Sequence, residues 1–156
     1  MELDRIDRAI VDHLMHDARQ SNKELAARVG IAPSTLSERL RRLQDAGVFR
    51  GFHADVDPKA LNIGLEAMIA IRLRKHTADE VATLKKHTRE MREVIDVYHV
   101  TGADDFLVHV AVRDADHLRD LAVSGFTTLP EVSHIETSLI FDHIARPELP
   151  NYGSWL

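Results

Sequence analysis

The sequence has no cysteine, which excludes a disulfide framework, a thiolate metal site and a cysteine nucleophile. It has a single tryptophan and 5% aromatic residues, and no apolar run approaches the roughly 20 residues needed to span a bilayer. The opening Met1-Glu2-Leu3-Asp4-Arg5 is acidic and amphipathic, without the basic start and apolar centre of a signal peptide. The expectation is a cytoplasmic protein with no membrane partner. The 44% hydrophobic content is near that of a globular domain and too high for a disordered chain. A length of 156 residues allows one medium domain or two small ones.

Positive charge is also in short supply: 20 Lys/Arg against 25 Asp/Glu, a net charge of −5. That total argues against a chain whose whole surface binds a polyanion, but the charge is unevenly placed. Residues 1–50 hold nine Lys/Arg and eight Asp/Glu, and residues 21–50 hold six against three. The remaining 106 residues hold eleven against seventeen. A locally basic segment joined to an acidic remainder points to nucleic acid.

Apolar spacing predicts three helices in the basic part. Leu3, Ile6, Ile10 and Leu14 recur at three- and four-residue intervals, with Asp4 and Asp7 as an acidic helix start. Ser21-Asn22-Lys23-Glu24 fits a capping box, Leu25, Ala26 and Val29 form an apolar face, and Gly30 closes the second helix. Pro33 opens a third, whose stripe is Leu36, Leu40 and Leu43 and whose stop is Gly47. Joined through Gly30-Ile31-Ala32, the second and third helices match a helix-turn-helix. The alternative is a plain three-helix bundle.

The third helix carries the candidate chemistry. At about 100° per residue, Ser34, Glu38, Arg41 and Arg42 lie opposite the leucines, flanked by Thr35, Ser37 and Arg39. Short hydroxyls near the N-terminus permit close approach to base edges, and arginines reach phosphates or guanine. With Lys23 of the second helix, these residues form the candidate DNA-contacting set. A solvated charged face is the alternative for the arginines.

Beyond an extended connector ended by Pro58, the period alternates. A strand with Ala67, Ile69, Ile71 and Leu73 on one face precedes a helix burying Val81, Leu84, Thr88 and Met91. Strands at 94–101 and 106–112 flank Gly102-Ala103-Asp104-Asp105, a hairpin signal. A second helix carries Ala115, Leu118, Leu121 and Ala122, and a last strand at 133–142 puts Ile135, Thr137, Leu139 and Phe141 on one face. The order is that of a split βαβ unit. Its two helices cover one sheet face, while Met68, Ala70, Tyr98, Val100, Leu107, Ala111 and Ile140 leave the other partly apolar. A second copy of the sheet would cover it, so a homodimer is expected.

The sequence resembles the Lrp/AsnC, or feast/famine, family of prokaryotic transcription regulators along nearly its whole length. The resemblance rests on Leu3-Asp4-Arg5-Ile6-Asp7, Asn22-Lys23-Glu24-Leu25-Ala26, the run from Ser34 to Leu43, Gly47-Val48 and Asp57-Pro58. It continues through Val100-Thr101-Gly102-Ala103-Asp104-Asp105-Phe106, Leu129-Pro130-Glu131-Val132 and Thr137. It implies an α+β chain with a winged helix-turn-helix domain at 1–50, a connector at 51–64 and a ferredoxin-like βαββαβ domain at 65–156. In the family this last domain, named for regulation of amino-acid metabolism (RAM), binds effector and drives assembly. The resemblance further implies double-stranded DNA as partner, no cofactor beyond an amino-acid-type effector, and homo-oligomers in which dimers form tetramers or octamers.

The family places effector where dimers meet, around the loop between the second and third strands. That loop matches Thr101, Gly102, Ala103, Asp104 and Asp105, with Thr137 and Ser138 of the last strand as second candidates. Gly102 can present its N–H to a carboxylate, and an aspartate can pair with an ammonium group. Ordinary turn chemistry is the alternative for these residues. Ala103 stands where many relatives have a larger or polar residue.

Eight of the ten histidines follow Gly51, and His99 with His109 on neighbouring strands is the one metal arrangement to weigh. No histidine pair has a tight ligand spacing with a carboxylate, so no metal is assigned. No nucleophile-elbow, Walker or zinc-protease motif is present, and no acid/base pair falls in one pocket, so no catalytic residue is assigned. An architectural DNA-binding protein, a ligand-binding module or an enzyme on the same fold are the rival functions.

Overall fold

The computed structural model describes residues 2–146 and 148–152. The chain divides into two compact units. One holds the chain up to Asp55 and, from Ile144 onward, the C-terminal segment; the other is Val56–His143.

In the first unit, α1 (Arg5–His16), α2 (Asn22–Val29) and α3 (Pro33–Asp45) start and stop at the expected residues. Asp4 and Asp7 form a capping box at α1, and Ser21 and Glu24 form another at α2. The Ser21 hydroxyl and backbone N–H hold the Glu24 carboxyl below its usual range. Gly30 closes α2 in the left-handed conformation, and Ile31 N–H donates to the Ala26 carbonyl at 3.0 Å, turning the chain into α3. Ile10, Leu25, Ala26, Leu36 and Leu43 meet in a small core, with Leu40 at its margin.

After Val48 the chain is irregular until a single 3-10 turn at Pro58–Leu61, as the extended connector requires. The connector's second half, from Val56, belongs to the other unit, so the boundary falls inside 51–64. The stretch 65–156 also divides, because the tail bonds to α1. His16 Nδ1 meets Glu148 Oε1 at 2.7 Å, and Asn151 Nδ2 donates to Asp12 Oδ1 at 3.3 Å.

The second unit is one antiparallel sheet of β1 (Leu65–Leu73), β2 (Val94–His99), β3 (Phe106–Val112) and β4 (Val132–Leu139), ordered β2-β3-β1-β4. Two helical segments, α4 (Ala78–Glu90) and α5 (Ala115–Asp120), pack on one face. This is the ferredoxin-like plan. Ala67, Ile69, Ile71 and Leu73 of β1 alternate inward and meet Val110, Val108 and Phe106 in register, giving a continuous apolar layer.

The helical cover extends further than periodicity showed. The helix begun by α5 continues as a π-helical segment, Leu121–Thr127, which buries Phe126 completely. The wider turn brings Phe126 edge-on to His87, whose Nε2 meets the Gly125 carbonyl at 2.7 Å. Close approach also governs Gly64, where a Cβ would overlap the backbone oxygen of Arg113.

The last strand departs from expectation. It ends at Leu139, and Phe141 lies beyond it, 96% exposed. Ile135 is partly buried, but Thr137 and Leu139 are open to solvent. β4 is an edge strand, and only its Val132 and Ile135 join the buried core, so alternation along it does not translate into burial.

Candidate functional site

Two carboxylates at the start of α1 organise the exposed helix α3. Arg39 Nη1 donates to Asp4 Oδ2 at 2.6 Å and to Asp7 Oδ1 at 2.8 Å, and Arg42 Nη2 donates to Asp7 Oδ2 at 2.6 Å. The Asp7 side chain is 1% exposed, against 22% for Arg39 and 51% for Arg42. The Asp7 N–H, opposed by partial burial and helped by Arg39, holds the Asp4 carboxyl below its ordinary value. The Asp4 carboxylate, with Asp7 second, raises the Arg39 guanidinium above its own. A buried acid is costly alone and tolerable when a cation meets each of its oxygens, as Arg39 and Arg42 do here.

Two of the three arginines expected to face DNA are therefore already paired. Their neighbours Thr35 and Glu38 join them around a shallow notch of about 220 Å³. Arg41 lies in solvent with no ion pair among the described residues, and Ser34, Thr35, Ser37, Glu38 and Lys23 are exposed. Ser37 is less free than it looks, since its hydroxyl donates to the Pro33 carbonyl at 3.0 Å. The one sequence signal for the Asp7 lock was an acid three residues before Ile10, on the buried stripe, where a carboxylate needs a cation.

At its N-terminus α3 differs from its neighbours. Helices α1, α2, α4 and α5 are each capped by a side chain, whereas Ala32 leaves the first amides of α3 without one. Free N–H groups there, with the positive end of the helix dipole, suit a phosphate.

In the second unit the loop between β2 and β3 holds the other candidate set. Gly102 sits at φ +125°, with nothing within 4 Å of where a Cβ would be. Its geometry demands glycine for backbone reasons alone. Asp105 is fully engaged: Oδ2 accepts the Leu73 N–H at 2.7 Å and Oδ1 meets His76 Nδ1 at 2.8 Å. Burial pushes its carboxyl up, but the Leu73 N–H and the His76 and His99 imidazoles together outweigh burial and hold it below the ordinary range. Arg72 Nε donates to the Ala103 carbonyl at 2.7 Å, and its Nη2 lies 3.5 Å from Asp104 Oδ1. Of the two aspartates, Asp104 is the freer to meet a ligand cation.

Within one chain, Thr137 and Ser138 do not join this loop. They lie on β4, across β1 from β3, where they pair with Ile69 and Met68 of β1 and point to opposite faces. The same parity separates His99 from His109. His99 stacks on Phe106 at 4.6 Å, on the helix-covered side, while His109 lies on the other face with Nε2 2.8 Å from Glu66 Oε2. Among the described residues no group of three or more His, Asp or Glu side chains is placed to hold a metal ion.

Residues 3–50 match a model described as a winged helix-turn-helix DNA-binding domain, and residues 66–149 match the Lrp/AsnC ligand-binding domain. The chain belongs to the Lrp/AsnC family. It is a DNA-binding transcriptional regulator of that type with a C-terminal ligand-binding domain. Among similar proteins is the HTH-type transcriptional regulator AldR of Mycobacterium tuberculosis, 46% identical over 92% of this chain and 80% of that protein. The leucine-responsive regulatory protein of Escherichia coli K12 is 32% identical over 93% of this chain and 88% of its own length. A Neisseria meningitidis transcriptional regulator solved as a complex with L-Met superposes with a TM-score of 0.85. That match has 28% identity and covers 96% of this chain and 97% of the other. Among the described residues of this Lrp/AsnC member, no helix is long and apolar enough to cross a membrane.

Proposed function

We propose that α3 reads a double-stranded operator in the major groove. Ser34, Thr35, Ser37, Glu38 and Arg41 face the DNA, Lys23 meets the backbone, and Arg39 with Arg42 holds the helix at its working angle. The observation that carries this reading is the division of labour on α3: two arginines locked to Asp4 and Asp7, with Arg41 and the uncapped amides left open. Short hydroxyls at the entering end and a cation one turn on suit base edges and phosphate respectively. The setting is the cytoplasm and the action is regulatory, not catalytic.

The effector is a small amino acid or related metabolite bound at the loop Thr101–Asp105, where dimers meet, with Thr137 and Ser138 supplied across the assembly. Separation of these two groups within one chain supports a site completed by a neighbouring copy. The half-apolar sheet face of Met68, Ala70, Leu107 and Ala111 supports the dimer, which then builds tetramers or octamers. A gel-shift series with the protein's own upstream DNA across salt concentrations tests the regulator reading. Specific retardation that weakens with salt is expected, and none at any salt refutes it. Thermal-shift screening against the twenty amino acids tests the effector reading; a selective shift lost on Gly102→Val is expected. A shift that survives the substitution places the effector elsewhere.

A further inference from the structure

A second concave site lies between α4 and the edge strand β2, apart from the β2–β3 loop. It is a groove of about 280 Å³ lined by Lys85, Thr88, Arg89, Val97 and His99. Lys85 and Arg89 stand four residues apart on α4, one turn from each other, and neither side chain has a hydrogen-bond or ion-pair partner among the described residues. Like charges at that spacing repel by about 0.2–0.5 kcal/mol. The helix dipole favours cations in a last turn, but Lys85 sits a full turn earlier, so the dipole alone does not explain the pair. The sheet unit is acid-rich, with fifteen Asp/Glu against ten Lys/Arg in residues 56–143, and still places no carboxylate in this groove.

The remaining lining fits a small ligand. Val97 supplies an apolar surface. The Thr88 hydroxyl is turned away, donating to the Leu84 carbonyl at 3.1 Å. His99 forms one wall and is held by its own stacking: Phe106 lies 4.6 Å from one face of the ring, and His76 stacks at 5.3 Å. His76 in turn meets Asp105 at 2.8 Å. The groove wall is thus the end of a short rigid stack that reaches the β2–β3 loop.

We propose that this groove binds a small organic anion, a carboxylate or a phosphate, between Lys85 and Arg89, with its carbon skeleton against Val97 and its edge beside His99. Two cations neutralise one or two negative charges, and Arg89 can hold either oxyanion through two parallel N–H bonds. The volume suits a metabolite of few heavy atoms. Occupancy changes the field at His99, and the His99–His76–Asp105 stack conveys it to the loop. The site lies within one chain, so it needs no assembled partner, and it stands independently of the DNA reading.

The test is isothermal titration of the full chain at low salt with succinate and, separately, inorganic phosphate. One anion per chain is expected, and whichever binds more tightly identifies the oxyanion. The double variant Lys85→Gln/Arg89→Gln is expected to weaken binding by about tenfold or more, while Lys85→Arg retains it. In wild type the anion shifts the imidazole NMR signals of His99 and His76; in the double variant it does not. Equal affinity in the double variant, or no binding of either anion by the wild type, overturns the proposal. Gel shifts on the double variant without anion keep the outcomes separate, because DNA retardation persists whether or not the groove binds.

Discussion

Replacing Asp7 by Asn isolates the lock between α1 and α3. Asn is close to Asp in shape, so packing around Ile10 is preserved, but only one oxygen remains to accept from a guanidinium and the new NH2 group faces the other. Asp7 now accepts one bond at 2.8 Å from Arg39 and one at 2.6 Å from Arg42. A hydrogen bond to a charged group contributes about 1.5–3 kcal/mol, and breaking a fully buried pair costs about 3–5 kcal/mol. Arg42 is half exposed and recovers water, and Arg39 keeps Asp4, so the expected loss is about 2–3 kcal/mol. For a helical unit of this size that is a fall of roughly 10–20 °C in Tm. Chemical denaturation followed by helical circular dichroism measures it. Asp4→Asn is the control: Asp4 is half exposed and Asn still caps the helix, so it costs well under half as much. The DNA effect runs the other way. Arg42 is released toward solvent while Arg39 stays on Asp4, so the salt slope of non-specific binding steepens by about one unit per phosphate that Arg42 newly engages. A loss no greater than that of the Asp4 variant, or an unchanged salt slope, would refute the reasoning.

Arg41→Ala is expected to flatten the salt slope of DNA binding by about one unit per engaged copy with stability unchanged, whereas Arg42→Ala lowers Tm; paired gel-shift and melting curves distinguish them. Gly64→Ala forces a Cβ onto the Arg113 backbone oxygen, which cannot swing aside, and a loss of about 1–3 kcal/mol in urea denaturation is expected. The Leu73 N–H and the His76 and His99 imidazoles hold the Asp105 carboxyl below its ordinary range in the folded chain, so the folded state binds its proton less readily than the unfolded one. Its contribution is complete above the unfolded value and disappears as pH falls through the lower folded one. Asp105→Asn is therefore expected to reduce stability at neutral pH and to flatten the stability profile below about pH 4, measured by denaturation across that range.

The two units differ in charge: the helical unit is balanced, with ten Lys/Arg against ten Asp/Glu, and the sheet unit holds ten against fifteen. On the proposed reading the acidic surplus of the sheet domain would disfavour the polyanion there, leaving it to residues 21–50, where a net surplus of three Lys/Arg is concentrated. That surplus is modest, and pairing of Arg39 and Arg42 reduces it further. On the proposed reading each copy would grip DNA weakly and an assembly of copies would multiply the phosphate contacts, which makes oligomerisation part of the proposed mechanism.

Local chemistry was legible without coordinates wherever the determining partners lie within a few residues. The acidic start at Asp4 and Asp7, the capping box at Ser21, the Gly30 turn, the Pro33 start and the alternation of β1 and β3 all act over that range, and all fold as expected. Family membership followed from the same motifs in order. Tertiary structure alone decided what long-range neighbours do. Helical periodicity assumes 3.6 residues per turn, so it could not register the π segment that buries Phe126. Alternation marks a face but not whether a helix covers it, which is why Thr137, Leu139 and Phe141 are exposed. Charge patterning counted Arg39 and Arg42 as free cations, because nothing local ties them to carboxylates more than thirty residues away. The sequence by itself determined which helix faces outward and which loop turns; the packing of α1 against α3 and of β1 beside Asp105 decided which of their charges remain available, since an ion pair depends on distance in space and not along the chain.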